Sequence, residues 1–297
     1  MRVREWIRAS QAILFEASIV PASVGTAAAV HGGARFDPIW FATILVSLAG
    51  IQAGANLFKG YFEGRDRSSA PASAGSWFAF DSSATTELTA NPRTILWIGR
   101  ACFALGAGAG LLLVILTRNV LLLAFGVVGA VLAWSYSSPP LRLSYRGIGE
   151  FSTFLAFGPV MTVGATVAFG GWGLRESLFA SVVLGLLAAA ISFARYFPNR
   201  VEDASKGKRT PVTILGFAAA KRLFLGLLIA PLLVGAAWIA VGGGFLWMLV
   251  LAAFICLIGR EFAHNEVASH FERAIAWTVA AHALVGVAMI VGFAAGL

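Results

Sequence analysis

The chain has 297 residues, of which 59% are hydrophobic and only 12% carry a charge. Soluble domains carry roughly 25% charged residues, so this composition excludes an ordinary water-soluble fold and predicts a membrane protein. A net charge of +8 is also typical of nucleic-acid-binding proteins, but here the basic residues are dispersed between apolar stretches, which argues against that class. We therefore expect one membrane domain over residues 1–297 and no nucleic-acid partner.

Apolar stretches long enough to cross a bilayer, about 20 residues each, recur along the whole chain. Very short connections at 118–119 and 242–244 predict that the flanking helices pair as antiparallel hairpins. The stretches are rich in glycine and alanine, which let helices approach closely in lipid. In chain order they predict transmembrane helices at residues 12–31, 38–58, 95–117, 119–136, 149–171, 175–196, 214–241, 244–260 and 275–296.

The distribution of lysine and arginine predicts how these helices are oriented. If the N-terminus is cytoplasmic, nineteen basic residues fall on that side, and only Arg35, Arg118 and Arg175 fall outside. Short cytoplasmic loops carry the excess of positive charge in membrane proteins. The sequence therefore predicts a multi-pass protein of the cell inner membrane with a cytoplasmic N-terminus and an external C-terminus.

A first polar cluster follows the second apolar stretch. It reads GANLFKGYFEGRDR and occupies residues 54–67. Offsets of 0, 3, 7 and 10 place four of its side chains on one face of a helix: Asn56, Lys59, Glu63 and Asp66. If the chain instead turns at Gly64, Asp66 lies in solvent, and the sequence leaves both alternatives open.

A second polar cluster, FPNRVEDASKGKRT at residues 197–210, follows the sixth apolar stretch. Asn199 and Asp203 are four residues apart and share a helical face, and the bases Lys206, Lys208 and Arg209 follow them. Carboxylate and amide oxygens facing each other at the membrane boundary suit Mg²⁺ bridging to phosphate, and neighbouring bases would bind the remaining phosphate charge. The alternative is that both clusters are solvated helix ends with ordinary charge pairs.

A third polar segment, YSSPPLRLSYRGIGEF at residues 136–151, lies between the fourth and fifth apolar stretches. Its two prolines stiffen the chain, and its hydrogen-bond donors are Tyr136, Arg142, Tyr145 and Arg146. The alternative interpretation is a rigid cytoplasmic turn whose arginines only follow the positive-inside rule.

This loop and the stretch after it, YSSPPLRLSYRGIGEFSTFLAFGPVMTVGATVA, resemble the UbiA-type intramembrane prenyltransferases, especially the branch that prenylates dihydroxynaphthoate in menaquinone synthesis. The resemblance extends to three further segments, which occur in the order and spacing of that family: VPASVGTAAA, GANL, and GKRT with the following ILG. It therefore covers roughly residues 14–216. It implies an all-α membrane fold of about nine helices around a central cavity open to the cytoplasmic side. It also implies two aspartate-rich motifs that hold a prenyl diphosphate through Mg²⁺.

The chain departs from the family motifs at their acidic positions. The first motif resembles N-x-x-N-D-x-x-D, and here Asn56 is retained while Lys59, Gly60 and Glu63 stand at the later positions. In the second motif Asn199 replaces an aspartate and Asp203 remains. Fewer carboxylates weaken the binding of hard cations. We therefore expect the Lys59 ammonium to supply part of the positive charge of a missing metal ion.

These motifs give the predicted site. Metal binding is expected from Asn56, Glu63, Asp66 and Asp203, of which Asp66 is placed there by its helical offset and not by the resemblance. Diphosphate binding is expected from Asn56, Lys59, Arg142, Arg146, Asn199, Lys208 and Arg209. Catalysis is expected from Glu63, Asp203, Tyr136 and Tyr145. The aromatic rings of the two tyrosines favour a nearby carbocation.

The implied function is transfer of a prenyl group from a prenyl diphosphate, via an allylic cation, to a small aromatic or quinone-precursor acceptor in the lipid bilayer. Two alternatives share the fold. One is a membrane terpene cyclase that quenches the cation within its own prenyl chain. The other is a non-catalytic protein that binds isoprenoids or lipids.

Glu16 and His282 are ionisable residues that lie inside apolar stretches. A charged side chain near the bilayer centre costs roughly 2.5 kcal/mol or more. The sequence favours either a cavity-lining role for Glu16, as an acceptor-binding or proton-accepting group, or a neutral side chain near the interface.

Overall fold

Helices connected by turns and short loops form the residues that the computed structural model describes, which are residue 7 and residues 10–63, 92–263 and 268–296. Short 3-10 turns at Ala12–Leu14 and Leu143–Tyr145 accompany the longer helices. In chain order these are α1 (Glu16–His31), α2 (Pro38–Glu63), α3 (Pro92–Thr117), α4 (Leu121–Ser137), α5 (Gly149–Ala168), α6 (Leu174–Ala194), α7 (Tyr196–Ser205), α8 (Pro211–Leu215), α9 (Phe217–Ala240), α10 (Leu246–Ala263) and α11 (Ala268–Ala294).

The predicted apolar stretches coincide with helices α1 to α6 and α9 to α11. Six helices in the described part of the chain are long and apolar enough to cross a membrane, namely α2, α3, α5, α6, α9 and α11. Helix α4 is equally apolar but shorter. The all-helical membrane fold is therefore confirmed, whereas the number of about nine crossings stays a prediction.

Glycines let α2 and α3 pack with their backbones almost in contact. A Cβ atom at Gly50 would lie 2.7 Å from the Cα of Gly106 and 2.8 Å from the carbonyl oxygen of Cys102. Ser47 adds a hydrogen bond of 2.8 Å across the same interface, to the carbonyl of Gly106. Close packing and such hydrogen bonds drive helix association where lipid offers no hydrophobic force.

Substitution of Gly50 by alanine should therefore destabilise the protein, because the added methyl group meets backbone atoms that cannot move aside. We expect a loss of about 1–3 kcal/mol in the free energy of unfolding, measured by thermal denaturation in detergent. Gly108→Ala on α3 is the matched control, since a Cβ there meets nothing within 4 Å. Equal stability of the two variants would contradict the close α2–α3 contact.

Helices α1 to α6 surround a central cavity of about 400 Å³ whose walls are mostly aliphatic and aromatic. The main hydrophobic core lies to one side of it, among α6, α9, α10 and α11. Helix α5 changes to π-helical geometry over Ala156–Val163, the segment that contains Pro159 and contributes Phe157 and Val160 to the cavity wall. Such π-helical segments are rare and often lie at functional sites.

An aromatic cluster fixes α7 against the rest of the bundle. Phe197 is fully buried, with its ring centroid 4.8 Å from that of Phe262 and 5.9 Å from that of Phe271. Pro198 is tolerated because it lies in the first turn of the helix, where its missing N–H would have no partner. With Phe197 anchored in the cluster, Asn199 and Asp203 lie on another face of α7.

Candidate functional site

A polar hollow lies where the C-terminal end of α2 meets α7. Its walls come from α2, α4, α6, α7 and the loop after α7, and its side chains are almost all charged or hydrogen-bonding. The residues that line this polar hollow are Lys59, Glu63, Tyr136, Ser192, Arg195, Tyr196, Asn199, Glu202, Asp203, Lys206 and Lys208.

The acids of the two motifs converge on one ammonium group in this hollow. The Nζ atom of Lys208 lies 3.6 Å from Oε2 of Glu63 and 3.5 Å from Oδ1 of Asp203. All three side chains are buried, and Lys208 is only 7% exposed. Ser137 donates a further hydrogen bond of 3.2 Å to Oε1 of Glu63. The sequence segments around residues 63 and 203 therefore form one site.

The backbone after α7 places Lys208 inside the hollow. Gly207 adopts a left-handed conformation with φ of 65°, which glycine reaches without steric cost, and the Lys208 N–H donates to the carbonyl of Asp203 at 2.8 Å. Thr210 then caps α8 through a reciprocal pair of hydrogen bonds with Thr213. These two features hold the short loop and its lysine.

Burial and neighbouring charges shift the pKa values of Lys208 and Asp203 away from those of free side chains. Burial acts to lower the pKa of Lys208, but the carboxylates of Glu63 and Asp203 outweigh it and raise that pKa above its ordinary value. Burial raises the pKa of Asp203, against the opposing effect of Lys208. Lys208 is therefore a permanent cation of the site.

Aromatic rings surround the Lys208 ammonium on its other sides. Its Nζ lies 5.3 Å from the ring centroid of Tyr145 and 6.0 Å from that of Tyr196. The guanidinium carbon of Arg142 lies 4.2 Å from the centroid of the same Tyr145 ring. Cations are attracted to aromatic faces at such distances, so Tyr145 and Arg142 contribute to the surroundings of the lysine.

The hollow adjoins the apolar cavity, because four side chains line both: Lys59, Tyr136, Ser192 and Arg195. The hydroxyl of Tyr136 and Oγ of Ser192 are 3.1 Å apart and share a hydrogen bond. This arrangement suits a ligand with an anionic head and a long apolar body.

The predicted residues other than Tyr145 and the arginines fall into three groups. Lys59, Glu63, Tyr136, Asn199, Asp203 and Lys208 line the hollow. Asn56 lies about two turns below Glu63 on α2, lines the apolar cavity and donates a hydrogen bond of 2.8 Å to the carbonyl of Ser10. Asp66 lies outside the described residues.

The predicted arginines lie around the hollow without lining it. Arg146 and Arg209 are exposed and meet in a short backbone bridge, and Arg146 donates to the carbonyl of Pro140 at 2.9 Å. Arg142 contacts Tyr145, as described above. Their roles as diphosphate ligands stay predictions.

Sequence reasoning missed several lining residues, notably Arg195, Tyr196 and Glu202. Arg195 occurs within the apolar stretch 175–196, and an intramembrane charge is by itself a signal for a functional site. Glu202 bonds Lys206 at 2.6 Å, a pairing at i, i+4 that the helical spacing would have predicted.

Glu63 and Asp203 are the residues of the hollow that would hold Mg²⁺, which proteins commonly bind through one or two carboxylates together with substrate phosphates. The point that both carboxylates face is taken by the Lys208 ammonium. Oδ2 of Asp203 is buried without a hydrogen-bond partner, so it offers an unused acceptor. Among the described residues there is no group of three or more Asp, Glu, His or Cys side chains able to hold a metal by themselves.

The ionisable residues Glu16 and His282 pair with each other. Nδ1 of His282 lies 2.9 Å from Oε2 of Glu16 and the histidine is fully buried. Within the described chain, Glu16 is not among the residues that line the cavity. The pair therefore joins α1 to α11, and the predicted acceptor-binding role of Glu16 gains no support.

The fold is that of a helical membrane protein in which a polar hollow adjoins an apolar cavity. The family model described as the UbiA prenyltransferase family matches residues 83–284. That match covers more than half of the chain, and the chain belongs to this family. It is an integral, multi-pass membrane protein.

Comparison with curated proteins agrees with the resemblance in the sequence. The chain is 27% identical over 262 residues to a 1,4-dihydroxy-2-naphthoate octaprenyltransferase of Mycobacterium tuberculosis, covering 86% of this chain and 81% of that protein. It is 27% identical over 215 residues to a 2-carboxy-1,4-naphthoquinone phytyltransferase of Synechocystis, covering 71% and 66%. The predicted nearness to the dihydroxynaphthoate branch is confirmed.

Solved structures share the fold. A UbiA homologue from Aeropyrum pernix matches with a TM-score of 0.69 at 17% identity, over 92% of this chain and 97% of that one. A UbiA homologue from Archaeoglobus fulgidus, bound to GPP and Mg²⁺, matches with a TM-score of 0.67 at 15% identity, over 97% and 99%.

Proposed function

We propose that this protein transfers a prenyl group from a prenyl diphosphate to an aromatic, naphthoate-type quinone precursor. The observation that carries the proposal is the convergence of Glu63 and Asp203 on Lys208 at the head of an apolar cavity. The diphosphate occupies the hollow and the prenyl chain occupies the cavity. The curated relatives named above, which act on naphthoate-type acceptors, support the choice of acceptor.

The residues of the hollow have distinct tasks in this reaction. Lys59, Lys208 and Arg195 bind diphosphate oxygens, because charge-assisted hydrogen bonds to phosphate are the strong ones. When bound, Mg²⁺ supplies further positive charge to the departing diphosphate, and Glu63 and Asp203 would hold it. Tyr136, at the boundary of hollow and cavity, presents its ring to the developing allylic cation.

Water must be kept from that cation for the acceptor ring to capture it. The cavity walls are mostly apolar, and the boundary hydroxyls of Tyr136 and Ser192 bond each other. A closed, apolar environment prevents hydrolysis of reactive intermediates. The acceptor ring then attacks the prenyl carbon from which diphosphate has left, and the attacked ring carbon loses a proton, or its carboxyl group as carbon dioxide, to restore aromaticity.

The proposal includes the orientation of the protein in the membrane. Nine helices cross the inner membrane, with the N-terminus and the mouth of the hollow on the cytoplasmic side and the C-terminus outside. The excess of nineteen basic residues over three supports this arrangement.

Product analysis tests the function. The purified protein in liposomes is incubated with geranylgeranyl diphosphate, Mg²⁺ and 1,4-dihydroxy-2-naphthoate, and both released diphosphate and organic products are measured. We expect diphosphate release that depends on the acceptor and equals the amount of prenylated product. Acceptor-independent release with a cyclic hydrocarbon would indicate a terpene cyclase, and tight binding without release would indicate a non-catalytic isoprenoid-binding protein.

A further inference from the structure

The polar hollow is lined by more basic than acidic side chains. Its described lining residues include four basic side chains and three acidic ones. The resemblance in the sequence implies acids at positions 60 and 199, where this chain has glycine and asparagine, and an asparagine at position 59, where it has lysine.

The basic side chains of the hollow occupy defined positions in the structure without a ligand. Lys206 and Glu202 bond each other at 2.6 Å and largely neutralise one another. Lys208 is buried between Glu63 and Asp203, where it separates two carboxylates that would otherwise repel each other. Lys59 and Arg195 line both the hollow and the cavity, and so lie at the boundary where the diphosphate joins the prenyl chain.

We propose that this chain binds the diphosphate group of its donor without a divalent cation, and that Mg²⁺ acts on turnover and not on donor binding. A prenyl diphosphate carries roughly three negative charges near neutral pH. A hollow rich in carboxylates repels such a ligand until metal ions intervene, because charges interact strongly in a poorly solvated site. The surplus of basic side chains in this hollow attracts the ligand directly. The inference rests on the proposed function, since it concerns the same donor.

Calorimetry with a donor analogue that cannot ionise readily tests this inference. Binding of geranylgeranyl thiodiphosphate to the detergent-solubilised protein is measured in EDTA and in Mg²⁺. We expect dissociation constants that agree within about threefold. An affinity for the analogue more than tenfold lower in EDTA than in Mg²⁺ would overturn the inference while leaving the proposed function intact. Absence of binding in both conditions would contradict the inference and the proposed function together.

The variant Asn199→Asp makes the test sharper, because it adds one negative charge to the hollow with little change in side-chain size. We expect its affinity in EDTA to fall at least tenfold and Mg²⁺ to restore it, so that binding becomes metal-dependent. The neutral variant Asn199→Ser controls for loss of the amide itself: whatever its affinity for the analogue, the values in EDTA and in Mg²⁺ should agree. Thermal denaturation checks that both variants are folded. If Mg²⁺ raised the affinity of both variants by the same factor relative to EDTA, the inference would be overturned.

Discussion

Replacement of Lys208 by methionine is expected to weaken binding of geranylgeranyl diphosphate about 100-fold, because the ligand loses a buried cation and its charge-assisted hydrogen bonds. The same change should lower the free energy of unfolding by about 3 kcal/mol, since Glu63 and Asp203 are left buried without their shared counter-ion. Both quantities are measurable in detergent, by calorimetry and by thermal denaturation.

Two further variants separate the effect on binding from the effect on stability. In the triple variant Glu63→Gln, Asp203→Asn, Lys208→Met all charges of the group are removed, so stability should return towards the wild-type value while diphosphate binding stays weak. Arg222→Met is the control for loss of a single basic residue, because Arg222 is exposed on α9 and does not line the hollow. Normal donor binding by the Lys208 variant would show that the diphosphate lies elsewhere.

Replacement of Asp203 by asparagine should have the opposite effect on binding and the largest effect on turnover. The change removes a negative charge from the hollow, so we expect donor binding in EDTA to be retained or tightened. Turnover should fall at least 100-fold, because the carboxylate with the unused Oδ2 acceptor is lost. The two effects are read from thiodiphosphate binding and from single-turnover prenyl transfer. Parallel losses of binding and turnover would contradict this division of roles.

The pH dependence of the wild type provides a second readout for Asp203. Burial raises the pKa of its carboxyl group despite the nearby Lys208, so the ionised form is lost as the pH falls through that raised value. Turnover should therefore decline on the acid side at a higher pH than an ordinary aspartate would give. In the variant Asp203→Asn, the decline in turnover that protonation of Asp203 causes at low pH should be absent. Glu261→Gln, an acid-to-amide change in the separate cluster with His270 and Arg273, should leave the wild-type profile unchanged.

Much of the fold followed from hydrophobicity alone, because each predicted apolar stretch coincides with a helix of the described chain. The motif spacing on α2 was equally informative: Asn56 and Lys59 line the cavity, and Lys59 and Glu63 line the hollow. A helix repeats its face every three to four residues, so residues at these offsets follow one another from the apolar to the polar end of the site.

The roles of the basic residues could not be separated in this way. Lys206, Lys208 and Arg209 are near neighbours in the sequence, yet one pairs with Glu202, one is buried between two acids and one is exposed. The left-handed turn at Gly207 and the cap at Thr210 decide which of them enters the hollow. Such loop geometry depends on backbone conformations that hydrophobic periodicity does not encode.

A structure of the protein with geranylgeranyl thiodiphosphate bound would show where the diphosphate group lies. We expect that group to contact Lys208 and Lys59 within the polar hollow, and the prenyl chain to extend past Tyr136 into the apolar cavity between α2 and α4. A diphosphate group bound away from Lys208, or a prenyl chain outside that cavity, would contradict this expectation.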